Sequence, residues 1–194
     1  MKRALALLLS SLLIAAASPA LAAPAGRMKA GVFEPPRPAP EFTLRGSDGA
    51  ELKLSDQRGK VVLLSFGFTH CPAVCPTTLA ALAEAKQRLG SAGAAVRVVF
   101  VTVDPERDDA ARLKAYLAAF DPGFVGATGT QEALAAMRSS YGVVANKVPM
   151  TGGYAVDHSS SIFLIDREGR LRGLMPYGRG ARDFVHDVKL LLAP

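Results

Sequence analysis

Two stretches of the chain are apolar at almost every position, Val61-Val62-Leu63-Leu64-Ser65-Phe66 and Val96-Arg97-Val98-Val99-Phe100-Val101-Thr102-Val103. Runs of β-branched and large apolar residues of this kind predict strands buried on both faces. Each gives way to a helical period. After the first, Pro76 opens an amphipathic pattern with Leu79, Leu82 and Leu89, closed by Gly90. After the second, Asp104-Pro105 stops the strand, and a helix is expected over about 108–119 with Leu113, Tyr116 and Leu117 on one face. A shorter helix is expected from Gln131 to Ser139, leading into Tyr141-Gly142-Val143-Val144 and then a glycine-rich polar loop from Ala145 to Asp157. Ser160-Ser161-Ile162-Phe163-Leu164-Ile165 and Arg170-Leu171-Arg172-Gly173-Leu174-Met175 bracket Asp166-Arg167-Glu168-Gly169, which predicts a hairpin. Phe184, Val188 and Leu191 place one apolar face on a final helix.

Ahead of these elements, Phe42-Thr43-Leu44 and Leu52-Lys53-Leu54 flank the turn chemistry of Gly46-Ser47-Asp48-Gly49, a second hairpin. Strand, helix and strand followed by a hairpin and a terminal helix is the element order of a thioredoxin-like α/β sandwich, here with an N-terminal β-hairpin extension. One domain is expected over residues 41–194. Residues 23–40 hold Pro24, Pro35, Pro36, Pro38 and Pro40 without apolar periodicity and predict a semi-extended linker. In residues 1–22, Lys2 and Arg3 precede the apolar stretch Ala4 to Ala17 and an Ala20-Leu21-Ala22 cleavage pattern, which predicts a secretory signal peptide. An uncleaved anchor helix is the alternative, giving a membrane tether at the N-terminus.

Formal charge is +6, of which Lys2 and Arg3 supply two units. The other basic residues are scattered without aromatic interleaving, so nucleic-acid binding is not indicated. Cysteine use changes the picture more. An exported chain with only two cysteines carries one structural disulfide by default. A domain of this length buries an adequate core without a staple, and a bridge closing so short a loop constrains little chain entropy. Stability therefore explains the pair poorly.

The cysteines lie in Thr69-His70-Cys71-Pro72-Ala73-Val74-Cys75-Pro76, at the junction of the first strand and helix. Residues four apart on a helix share a face, with Cβ atoms about 5–6 Å apart, so the sulfurs can converge on a metal ion or approach a disulfide. A helix N-terminus lowers a thiol pKa, favouring both metal binding and exchange. Three histidines could complete a site. His186 sits beside Asp187 on the terminal helix and reads as a solvated helix residue. His70 adjoins Cys71 but reads as a structural or supporting group. His158, in Asp157-His158-Ser159, precedes the late hairpin in a loop that faces the cysteines in a thioredoxin-like sandwich. Cys71, Cys75 and His158 then form a two-sulfur, one-nitrogen set, which suits Cu(I) or Cu(II) and also zinc.

The chain resembles the Sco/SenC proteins, copper-binding assembly factors of cytochrome c oxidase. The resemblance rests on Gly59-Lys60, Phe66-Gly67-Phe68-Thr69-His70-Cys71-Pro72, Val74-Cys75-Pro76-Thr77-Thr78-Leu79, Val103-Asp104-Pro105-Glu106-Arg107-Asp108 and Val156-Asp157-His158-Ser159, and covers essentially all of residues 41–192. It implies a thioredoxin-like fold in which Cys71, Cys75 and His158 bind copper and deliver it to the dinuclear copper centre of an oxidase subunit. It also implies that Asp157 orients the histidine, and that Asp104, Glu106, Arg107 and Asp108 act near the site or in docking. Read without the family, the last four are a turn and helix cap, with Asp108 completing the first helical turn. Two departures stand out: Ala73-Val74 occupies a place where many relatives carry an acidic residue, and relatives are commonly held by an N-terminal membrane helix.

The resulting expectation is a periplasmic copper metallochaperone, with an upstream copper donor, a thiol reductant that keeps the cysteines open, and an oxidase subunit as recipient. Nothing turns over in that scheme. The rival is a thiol-disulfide oxidoreductase in which Cys71 attacks and Cys75 resolves. Against the rival, three residues separate the cysteines instead of two, and a metal ligand stands where thioredoxins place a cis-proline.

Overall fold

The paired apolar runs become the centre of the sheet. In a computed structural model that describes residues 26–193, β4 (Val61–Gly67) and β5 (Val96–Thr102) run parallel and in register from Val61 opposite Val96 to Gly67 opposite Thr102. Both are buried on both faces because helices cover them front and back. Parallel pairing requires a crossover, and α1 (Val74–Arg88) supplies it. The strand order is β1-β10-β9-β4-β5-β6-β2-β3. The remaining strands are β1 (Gly31–Pro38), β2 (Thr43–Gly46), β3 (Glu51–Lys53), β6 (Val125–Thr128), β9 (Ile162–Ile165) and β10 (Arg170–Met175). This mixed α/β sandwich is the thioredoxin-like fold, with the β2–β3 hairpin as its N-terminal extension.

Alternation along the strands divides the core in two. Leu63, Val98, Phe100, Ile162 and Leu164 face α1, α2 (Ala110–Ala118) and α4 (Ala181–Leu192), where Leu79, Leu82, Leu113, Leu117, Phe184 and Val188 are buried. Val62, Leu64, Phe66, Val99, Val101 and Phe163 face α3 (Gln131–Tyr141) through Leu134, Met137 and Tyr141. Each such side chain contributes about 1.5–3 kcal/mol when fully buried. Gly142, at φ +67, ends α3 in the left-handed conformation that a side chain would resist.

Two expectations need correction. Residues 31–38 are not a free linker: β1 pairs antiparallel with β10 at the sheet edge, its register shifting between Val32 and Arg37 around the prolines. The fold begins still earlier, because the buried Asp187 carboxylate accepts the backbone N–H groups of Lys29 at 2.7 Å and Ala30 at 2.8 Å. His186, expected as a solvated helix residue, is partly exposed, with Nδ1 2.9 Å from the same Asp187 carboxylate. Second, the polar loop at 145–157 is a hairpin, β7 (Ala145–Met150) with β8 (Gly153–His158), forming its own two-stranded sheet. Residues 1–22, where a signal peptide is expected, lie outside the described residues. Among the described residues no helix is long and apolar enough to cross a membrane.

Candidate metal and thiol site

β4 delivers the chain to the site through Gly67, where a Cβ would lie 2.6 Å from the Phe100 ring and 2.8 Å from Cys75 Sγ. Only glycine lets the backbone run this close to the sulfur. The following segment is fixed by Asp108, which is fully buried. Its carboxylate accepts Thr69 N–H at 2.9 Å, Thr69 Oγ1–H at 2.6 Å and Thr102 Oγ1–H at 2.8 Å. Asp108 thus ties the end of β5 to the approach to Cys71. The helix cap expected of it belongs to Asp109, which accepts Arg112 N–H at 2.7 Å.

Cys71 lies before α1, not on it, in a turn closed by its own N–H to Phe68 O at 3.2 Å. Cys75 lies in the first helical turn. Ala73, at the N-cap, has no side chain able to cap, and Cys71 Sγ takes that role by accepting Cys75 N–H at 3.4 Å. Both thiols are free. Cys71 is half-buried and Cys75 is 3% exposed. A helix N-terminus was expected to make such a thiol more acidic, yet burial pushes the Cys75 thiol up, against the opposing Phe68 backbone hydrogen bond.

His158 is the last residue of β8, 83 positions beyond Cys75, and its Nε2 stands 3.9 Å from Cys75 Sγ. Nδ1 lies 2.8 Å from the Ser159 carbonyl oxygen. A carbonyl can only accept, so Nδ1 carries the proton and the Nε2 lone pair faces the sulfur. The orienting role expected of Asp157 is not observed. Asp157 is exposed, alternation turns it from the face that His158 uses, and the Ser159 backbone orients the ring instead. His70 points elsewhere, with Nδ1 3.3 Å from Thr69 Oγ1 and 3.9 Å from Asp108. The Phe68 ring meets His158 edge-on at 5.8 Å.

Ser65, Phe66, Val74, Thr78, Phe100 and Ser160 close a cavity of about 10 Å³ between Cys75 and His158. That is near the lower limit for one water. As the side chains stand, no three His, Cys, Asp or Glu among the described residues enclose a metal ion. Cys75 Sγ and His158 Nε2 face one another, and the second sulfur, Cys71 Sγ, lies at the helix amide.

Sequence reasoning does not reveal Tyr154. Its hydroxyl donates to the buried Asp104 carboxylate at 2.7 Å, and burial and that hydrogen bond raise its pKa to about 12. The only signal available was an aromatic in a stretch that resembles a loop.

A thioredoxin-like sandwich that opposes a free thiol pair at a helix N-terminus with a lone-pair-bearing imidazole is a thiol- or soft-metal-handling protein. The chain belongs to the SCO1/SenC family, whose model matches residues 33–193. It is 35% identical to the mitochondrial SCO2 homolog of Mus musculus over 79% of this chain, spanning 62% of that relative's length. Among solved structures, copper-bound ScoI of Bradyrhizobium japonicum is 37% identical with a TM-score of 0.74, the match covering 79% of this chain and 99% of that one. Apo Sco1 of Thermus thermophilus is 39% identical with a TM-score of 0.77, covering 86% and 98%.

Proposed function

We propose that this protein is an exported copper carrier that binds Cu(I) or Cu(II) through Cys71, Cys75 and His158 and passes it to the dinuclear copper site of a cytochrome c oxidase subunit. The observation that carries the reading is the 3.9 Å approach of Nε2 to the Cys75 sulfur, with the proton held on Nδ1. Two thiolates and an imidazole fit copper in both oxidation states. The copper held by the Bradyrhizobium relative supports the choice of metal. Copper is cargo here, received from an upstream donor and released by ligand exchange. Binding requires both thiols to lose their protons, and because a disulfide cannot bind as a dithiolate, a reductant must keep the pair open. Export rests on the N-terminal signal pattern, whether cleaved or retained as a tether.

Copper titration of the reduced protein and of His158→Ala, followed by absorption spectroscopy, tests the ligand set. One copper per chain is expected, with the Cu(II) charge-transfer bands lost or shifted in the variant. Identical Cu(II) spectra remove His158 from the site.

A second reading, thiol-disulfide exchange, is favoured by the accessibility of Cys71 and the free state of both thiols. Cys71 would attack a partner disulfide and Cys75 resolve it. Fast turnover with dithiol donors, unaffected by His158→Ala, supports that reading over copper carriage.

A further inference from the structure

The hairpin that carries His158 pairs with no strand of the eight-stranded sheet. Apart from its chain connections to α3 and β9 and the Ser159 amide bonded to the Val144 carbonyl at its base, its attachment to the body rests on side chains. Tyr154, Val156 and His158 alternate onto one face of β8. Val156 is buried in the core that contains Phe66 and Phe68, and His158 meets Phe68 and Cys75. Tyr154 anchors the other end of the strand to the Asp104–Arg107 loop.

That anchor is heavily built. Tyr154 Oη donates to Asp104 Oδ1 at 2.7 Å and lies 3.3 Å from Glu106 Oε2. Arg107 Nη1 donates to the Tyr154 carbonyl at 3.1 Å, while its Nε engages the other oxygen of Asp104. The guanidinium carbon stands 3.9 Å from the Tyr154 ring centre and 5.8 Å from that of Phe68. Lys147, on β7, covers the Tyr154 ring at 4.5 Å and reaches Glu106 at 2.6 Å. Tyr154, Arg107, Phe68 and His158 thus form a continuous series of planar groups from the loop after β5 to the imidazole.

We propose that Arg107 and Tyr154 are positioning residues for His158: by seating the hairpin they hold the imidazole over the Cys75 sulfur. Released from them, the hairpin loses its seat, its two-stranded ladder opens more often, and the ring no longer shields the thiol. Asp104, fully buried, serves both partners at once. The copper consequence rests on the ligand set proposed above; the seating itself does not.

The test uses copper-free, reduced protein in a Cys71→Ser background, so that Cys75 is the sole thiol. Alkylation of so buried a thiol reports the fraction of molecules in which its cover has lifted. Arg107→Ala removes a cation–π contact and a charged hydrogen bond and is expected to raise the Cys75 rate about tenfold. Tyr154→Phe is expected to raise it less, and Arg107→Lys to restore part of the protection. Amide exchange should accelerate in residues 145–158 and stay unchanged in β4 and β5. In a further His158→Ala background the cover is already gone, and Arg107→Ala should add nothing. Unchanged alkylation in Arg107→Ala overturns the proposal, as does an equal acceleration with and without His158. Because no copper is present, such a failure is separate from failure of the ligand set, which the His158→Ala titration decides.

Discussion

Replacing Asp108 should show how much of the site's geometry depends on one buried carboxylate. Asp108 is fully buried and accepts three hydrogen bonds, from Thr69 N–H, Thr69 Oγ1–H and Thr102 Oγ1–H, at 2.9, 2.6 and 2.8 Å. Hydrogen bonds to a charged acceptor are worth about 1.5–3 kcal/mol each, and a buried donor left without a partner costs about 1–3 kcal/mol. The three bonds share one anchor and are not additive. Asp108→Ala should therefore lower stability by about 4 kcal/mol, most of it from the stranded Thr69 amide. Asp108→Asn keeps one oxygen to accept the Thr69 amide and the Thr102 hydroxyl, and should cost about 1–2 kcal/mol. The assay is urea unfolding followed by far-ultraviolet circular dichroism, since the chain has no tryptophan to report by fluorescence. Thr69 stands two residues before Cys71, so the alanine variant should also alkylate faster at Cys71. The reasoning fails if Asp108→Ala unfolds at the wild-type midpoint, or if it costs no more than Asp108→Asn.

Gly67→Ala would place a methyl group 2.6 Å from Phe100 and 2.8 Å from Cys75 Sγ; a loss of about 1–3 kcal/mol is expected by thermal unfolding, and an unchanged melting temperature would show that the sulfur has room to move. Iodoacetamide at mildly alkaline pH should label Cys71 well before Cys75, because Cys75 is buried and its thiol pushed up by that burial; comparable rates in the two single-cysteine variants contradict this. Asp166, buried in the turn between β9 and β10, is pulled toward the neutral form by burial, but the Arg170 amide and the Arg170 and Arg172 guanidinium groups outweigh this and hold its carboxyl below the usual range. Its folded pKa lies under the unfolded one, so the ionised form stabilises at neutral pH, and that contribution fades as the pH drops below about 4. Asp166→Asn should flatten the acid limb of a plot of unfolding midpoint against pH, and an unaltered slope counts against the ion cluster.

The buried half of this fold is legible in its sequence for a simple reason. Strands covered on both faces, such as β4 and β5, must be apolar at nearly every position, and their short length, β-branched residues and flanking Gly67 or Asp104-Pro105 separate them from a buried helix. Elements that bury little leave no such mark. β1 is exposed along almost its whole length and full of proline, so its pairing with β10 has no periodic signature. In β7–β8, Pro149, Gly152 and Gly153 resemble loop punctuation, although Tyr154, Val156 and His158 do alternate toward the body. The cysteines and His158 were recognisable by residue type and fold position. What they touch was not: the His158 partner is a backbone carbonyl, which every sequence offers, and adjacency favoured Asp157 although β alternation sends it the other way. The helix cap expected of Asp108 falls to Asp109, a single step along the chain. Arg107 and Tyr154 are 47 positions apart, and only the tertiary fold joins them.

The outermost strands bear on how the molecule behaves in a crowded compartment. A sheet that ends in a long, regular strand offers free amide and carbonyl groups to any neighbouring chain and invites stacking into larger aggregates. Here one margin is occupied by a segment with Pro35, Pro36 and Pro38, which lack donors, and with Arg37, while the other ends in the three residues of β3. Neither margin is a good template. The proline-bearing segment therefore covers the edge of β10, and trimming the chain to residue 39 would bare that strand's amide and carbonyl groups to neighbouring chains.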